Sequence, residues 1–164
     1  MGNHGRKATR RCPCGWLGHP SGRCRCTPDQ VARYRGKLSG PLLDRIDLMV
    51  ELASLSADEL QTEGAAEPSS AVRARVAAAR ALQLDRQGRP NAALEPQQIE
   101  SHCALDLPAR ELLKQAIIRL DLSGRSYHRV LRVARSIADL AAAPVVASAH
   151  IAEAVHYRRG LGGD

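Results

Sequence analysis

A chain of 164 residues with no phenylalanine, one tryptophan and three tyrosines cannot fill its core with aromatic rings. The interior must come from Leu, Ile, Val and Ala. Ala and Leu are strong helix formers, so this restriction leans the chain towards a mainly helical fold. At this length a single core buries roughly two-thirds of the surface that the unfolded chain exposes. That is enough for one domain, or for a small domain with an extension.

The second half of the sequence carries the expected periodicity. Ser69 or Ser70 is placed to cap a helix running to about Gln87, with Val72, Val76 and Ala79 on one face and Arg73, Arg75, Arg80 and Arg86 elsewhere. Gly88-Arg89-Pro90 should end it. A short helix is expected after Pro96. Pro108 opens another, in which Leu112, Leu113, Ala116, Ile117 and Leu120 recur at helical spacing. Ser123 should cap the next, whose face is Tyr127, Val130, Leu131, Ala134, Ile137, Ala138 and Ala141, with Pro144 as its stop. Ser148 should cap a last helix through Ile151 and Val155 to Arg158. Helices of this length on short loops fit a compact bundle. Cys103, alone in this half, reads as a small buried side chain.

The first half is different. Residues 1–11 have no apolar periodicity and read as a disordered basic tail. Residues 12–29 are rich in Cys, Gly and Pro, as in a loop or metal knuckle. Thr27-Pro28 supplies a cap and a first-turn proline for a short helix from Asp29 to Lys37, which Ser39-Gly40-Pro41 breaks. Ile46 to Leu52, IDLMVEL, is apolar with partial alternation and predicts a strand. Residues 53–69 are polar and aperiodic and read as a linker, which leaves 12–52 and 70–159 as the two organised parts.

Charge is concentrated in the same place. Residues 1–37 hold nine Lys or Arg against a single acid, Asp29, whereas the rest of the chain is close to neutral. A basic segment of this kind suits a polyanion, most simply nucleic acid; a solvated tail would have the same composition. No apolar run reaches the ~18–20 residues that span a membrane, and the first 15 residues are polar. A soluble, cytoplasmic chain with reduced thiols is therefore expected, with no membrane partner.

Within the basic segment stand Cys12-Pro-Cys14 and Cys24-Arg-Cys26, separated by nine residues that include Gly15, Gly18, Pro20 and Gly22. Four thiolates in two close pairs can surround one tetrahedral Zn²⁺ as a closed, structural site. Spacing and compartment favour that reading over free thiols or a disulfide. His4 or His19 could replace one ligand. No general base accompanies the set, which argues against zinc catalysis.

The run CPCGWLGHPSGRCRCTPDQVARYRGKLSGPLLDRIDL resembles the stretch after the sensor-one strand of magnesium-chelatase-like AAA+ ATPases of the ComM/YifB type. Downstream, SSAVRARVAAAR, HCALD and GRSYHRVLRVARSIADL resemble the carboxy-terminal helical lid of the same family. The resemblance covers about residues 12–159. It implies a helical AAA+ lid bundle preceded by the Cys-rich loop and a short remnant of the α/β ATPase subdomain. It also implies ring assembly, usually as homohexamers, with ATP and Mg²⁺ at subunit interfaces and DNA as a partner in branch migration during natural transformation. On this resemblance Arg45, in the Leu-Leu-Asp-Arg run, is the arginine finger, and Arg125 is the sensor-two arginine of the lid. Taken by themselves the two could be ordinary exposed side chains, Arg45 pairing with Asp44 or Asp47.

There are departures. No G-x-x-x-x-G-K-[ST] occurs in the 164 residues, nor an apolar strand ending in acids to hold Mg²⁺. Arg10 stands where the family has Asn before the first cysteine. The expectation is a carboxy-terminal fragment that supplies finger and lid and is inactive as an ATPase by itself. A stand-alone zinc-containing nucleic-acid-binding module, or a non-functional remnant, is the alternative.

Overall fold

The computed structural model describes residues 11–37, 39, 45–50, 52, 55, 61 and 67–158. The readings of residues 1–10 as a tail, of Leu42-Leu43-Asp44, and of most of the 53–69 linker fall outside them. The described residues fall into two compact units. One holds those up to Arg45 with 52, 55 and 61; the other holds 46–50 and 67–158.

In the first unit, α1 (Pro28–Arg35) starts as its sequence predicts. Thr27 Oγ1 accepts the Gln30 amide at 3.3 Å, and Gln30 Oε1 accepts the Thr27 amide at 3.0 Å. This reciprocal pair satisfies two amides that would otherwise lack partners at the helix start. No residue of α1 is buried.

The second unit is a helical bundle of α2 (Ser69–Gln87), α3 (Pro96–His102), α4 (Leu107–Leu120), α5 (Gly124–Leu140) and α6 (Ser148–His156), with a 3₁₀ turn at Asn91–Ala93. α5 is central, packing on α6, α2, α3 and the 3₁₀ turn. The apolar cluster gathers Val130, Leu131, Ala134 and Ala138 of α5 with Leu113 of α4, Ile99 of α3 and Ile151 of α6. Burying each large aliphatic contributes about 1.5–3 kcal/mol. Ser123 caps α5 as expected, its hydroxyl accepting the Ser126 amide at 3.2 Å, and Asp106 caps α4 through the Ala109 amide at 2.7 Å. Gly88, at φ 68°, closes α2 in the left-handed conformation that glycine tolerates.

Several expectations are corrected. Pro68, not a serine, precedes α2, and its carbonyl accepts the Ala71 amide at 2.9 Å, so Ser69 and Ser70 lie inside the first turn. Of the face expected to be buried on α2 only Ala79 is; Val76 is 52 % exposed. Ala147, not Ser148, caps α6, and the helix ends at His156. His150, at the third helical position, accepts the Ala147 amide on Nδ1 at 3.0 Å, the part that a glutamate or glutamine takes there in a capping box. α5 stops at Leu140, before Pro144, because Ala142 turns left-handed at φ 51° and the Ala143 amide reaches back to the Ala138 carbonyl at 2.8 Å.

The strand predicted over 46–52 is absent among its described residues. A strand exists through a ladder to a neighbour, and this segment finds the end of the bundle instead. The Met49 amide donates to the Tyr157 carbonyl at 2.9 Å, and Arg158 donates to the Ile46 carbonyl at 2.6 Å. Arg129 pairs with Asp47. The one bridge of strand type among the described residues joins Leu105 to Val146 between helix-connecting loops.

Candidate functional site

The cysteine pairs are brought together by tight turns. The Gly15 amide donates to the Cys12 carbonyl at 3.1 Å, His19 to Trp16 at 3.1 Å and Gly22 to His19 at 3.2 Å. Gly18 sits at φ 82°, and a Cβ there would meet Arg11 at 3.1 Å, so the turn requires glycine. The turns fold Cys24 and Cys26 back onto Cys12 and Cys14. All four sulfurs lie within 4.8 Å of one another. Cys12 Sγ is 3.4 Å from Cys14 Sγ and 3.9 Å from Cys24 Sγ, and Cys14 and Cys24 are 3.7 Å apart.

These distances exclude one of the three states open to the thiols and are compatible in length with another. A disulfide needs about 2.05 Å. A tetrahedron with Zn–S near 2.3 Å has edges of about 3.8 Å, and the observed spacings bracket that length. His19 is not in the set: its Nδ1 accepts the Ser21 amide at 3.0 Å. His4 lies outside the described residues.

The electrostatics agree. The Trp16 amide directed at Cys14 stabilises its thiolate and brings it down to about 6. The Cys14 amide favours a Cys26 thiolate, but the neighbouring sulfurs and burial outweigh it and push Cys26 up to about 11. Four anions cannot share so small a volume. A divalent cation removes the conflict, because coordination stabilises every thiolate at once. Cys103, buried in the bundle, is pushed up to about 11 by desolvation and is an inert packing residue.

The two arginines carried by the resemblance lie in different units. Arg45 is exposed in a turn. Arg125 is exposed in the first turn of α5, where no acidic residue stands. The positive end of the helix dipole favours an anion there. Asp47, weighed as a partner for Arg45, pairs with Arg129.

A buried polar cluster escaped the sequence reading. Asp139, 3 % exposed, accepts from Arg135 Nε at 3.0 Å, from Arg86 at 2.7 and 3.1 Å, and from Asn91 Nδ2 at 2.8 Å. Arg135, 2 % exposed, also donates to the Ala143 and Pro144 carbonyls, fixing the turn that ends α5. The carboxylate thus uses all of its roughly four acceptor positions. Burial opposes its charge, but Arg86, Asn91 and Arg135 outweigh burial and hold it below its ordinary value. The i,i+4 spacing of Arg135 and Asp139 was the one local signal available. Arg86 is 53 positions from Asp139, and nothing in the sequence announces that pairing.

Two family models match the chain: the C-terminal region of magnesium chelatase subunit ChlI over residues 66–158, and magnesium chelatase subunit ChlI over residues 7–60. Competence protein ComM of Haemophilus influenzae is 42 % identical over 135 residues, which is 82 % of this chain and 26 % of that protein. The uncharacterized protein YifB of Escherichia coli is likewise 42 % identical over 135 residues, 82 % of this chain and 27 % of its own length. An uncharacterized protein of Mycobacterium tuberculosis is 36 % identical over 156 residues, 93 % of this chain and 30 % of its own. The chain therefore spans about a quarter to a third of the length of the curated relatives it matches.

Proposed function

The chain belongs to the magnesium chelatase ChlI family, and from that membership we propose that it is the carboxy-terminal part of a ring-forming ATPase of the ComM kind that processes DNA. The observation that carries this reading is Arg125, exposed in the first turn of the central lid helix α5, within the segment that matches the family's C-terminal region. From there its guanidinium reaches a phosphate of nucleotide bound in its own subunit, beside amides that favour the same anion. Arg45 acts on the neighbour, donating to the γ-phosphate across the interface as charge develops in transfer. No G-x-x-x-x-G-K-[ST] phosphate loop occurs in these 164 residues, so hydrolysis by such an assembly requires one contributed by other sequence. The second unit is the lid. Within this unit, the Tyr157 carbonyl and Arg158 beyond α6, and Arg129 of α5, hold residues 46–50.

The four cysteines hold one structural Zn²⁺, supported by the match between their spacings and a tetrahedral thiolate set. The metal supplies cross-linking of the loop, not chemistry. A nucleic-acid partner is supported by six basic residues against one acid over residues 11–37.

The division of labour between the arginines is testable in an intact relative that carries both. Arg45→Ala should lower hydrolysis by about 10³–10⁵ with ATP binding in its own subunit unchanged. Subunits with a disabled phosphate loop but an intact Arg45 should then restore activity when mixed with Arg45→Ala subunits. If mixed rings form and no mixture regains hydrolysis, Arg45 is a structural residue and the trans reading fails.

A further inference from the structure

Trp16 stands on the loop between the two cysteine pairs and is 37 % exposed. An indole is a large apolar payload to leave in water, and the first unit does not use it as a core: Cys12 is its one buried side chain among the described residues. His19 meets the ring edge-on with centroids 4.8 Å apart, and the Arg23 guanidinium lies 5.3 Å from the ring centroid. A guanidinium already held over the ring shows that a face of the indole can receive a polar group. The turns at Gly15 and Gly18, both at φ 82°, flank Trp16. The same stretch, 11–37, carries Arg11, Arg23, Arg25, Arg33, Arg35 and Lys37 against Asp29 alone.

We propose that this unit binds an unpaired nucleic-acid strand, stacking a base on Trp16 and taking the flanking phosphates on Arg23, Arg25 and the basic end of α1. The proposal rests on the nucleic-acid reading above and narrows it to a strand whose bases are free. Every base has a π face, so an aromatic platform in a basic setting holds single strands with little regard to sequence. In a duplex the bases are already stacked on one another and offer only edges in the grooves. Arginine contributes in both arrangements, over the ring as a cation–π partner or on phosphate as a bidentate donor. Four thiolates joined by one metal fix the loop that carries the platform, so binding is coupled to metallation.

Because Trp16 is the only tryptophan in the chain, its fluorescence reports the stack without any label. The full zinc-loaded chain is titrated with a dT oligonucleotide at low salt, following indole emission and, in parallel, anisotropy of a labelled copy of the oligonucleotide. Saturating quenching that tracks the anisotropy is expected. Trp16→Ala should weaken binding by about 5- to 100-fold, the loss of one base stack, while Trp16→Tyr should recover most of it. Zinc content measured on each variant shows that the loop is intact. Oligo(U) in place of dT identifies whether the strand is RNA or DNA. Binding without quenching, with Trp16→Ala unaffected, overturns the stacking proposal and leaves the nucleic-acid reading standing. No anisotropy change at low salt overturns both. Equal affinity and equal quenching with a blunt duplex overturns the requirement for free bases.

Discussion

From Leu94 to Ala154 twelve buried side chains form one apolar cluster; from Arg11 to Lys37 the one buried side chain is the thiol of Cys12. The two units are ordered by different physics. The lid removes aliphatic surface from water, and that term grows with every residue added to the cluster. The knuckle has almost no such surface to bury, yet fixing each of its residues costs about 1–2 kcal/mol of backbone entropy. Where an apolar core is missing, metal coordination can supply the difference, because binding free energy becomes folding free energy. Charged groups divide in the same way. Those of the lid interior are matched donor to acceptor around Asp139, whereas the first unit's thiols leave a conflict among themselves that a bound cation would resolve.

The largest expected effect breaks the comparison on the knuckle side. Cys24→Ser should remove the metal, whose apparent contribution in small zinc domains is about 10–16 kcal/mol. Metal analysis should fall from about one zinc per chain to none, with the thermal transition of the lid unmoved. A lid that melts with the knuckle would show that the two are not independent.

Next comes the lid's polar centre. Asp139→Ala strands Arg135 and Arg86 and should cost about 3–5 kcal/mol in chemical denaturation. The pH dependence follows from the same carboxylate. Its folded value is depressed, so the unfolded chain binds more protons in acid and stability rises with pH. The contribution is fully present above the ordinary value near 3.8 and is lost as pH falls below it towards the folded value. Asp139→Asn should flatten that acid limb, and an unchanged limb would assign the acid sensitivity elsewhere.

A smaller effect sharpens the contrast in backbone. The knuckle meets its left-handed positions with Gly15, Gly18 and Gly22, whereas the lid ends α5 with Ala142 at φ 51°. Ala142→Gly relieves that strain and should change stability by no more than about 1 kcal/mol, in the stabilising direction. A loss instead would mean that the methyl group packs usefully.

Much of the helical structure was legible because its signals are local. Thr27 and Pro28 in the first unit, and Ser123, Gly88, Pro96 and Pro108 in the lid, each act within one turn of helix, and the buried face of α5 repeats at the helical period. The cysteine set was legible through spacing alone. What failed depends on distant partners. Residues 46–50 have strand-like composition but no ladder, since the end of the bundle takes their backbone groups. Val72 and Val76 look like a core face, yet among the described residues nothing buries them. The Asp139 cluster assembles side chains from α2, α5 and the 3₁₀ turn, and no periodicity marks a buried charge whose partner is 53 residues away.

Amide hydrogen exchange on the full chain, before and after chelation, tests the division most directly. Protection at Gly15, His19 and Gly22, whose amides close the knuckle turns, should collapse when the metal is withdrawn, while Val130, Leu131 and Ala134 of α5 keep theirs. Retained protection in the knuckle of demonstrably metal-free protein, or loss in both units together, would contradict the account.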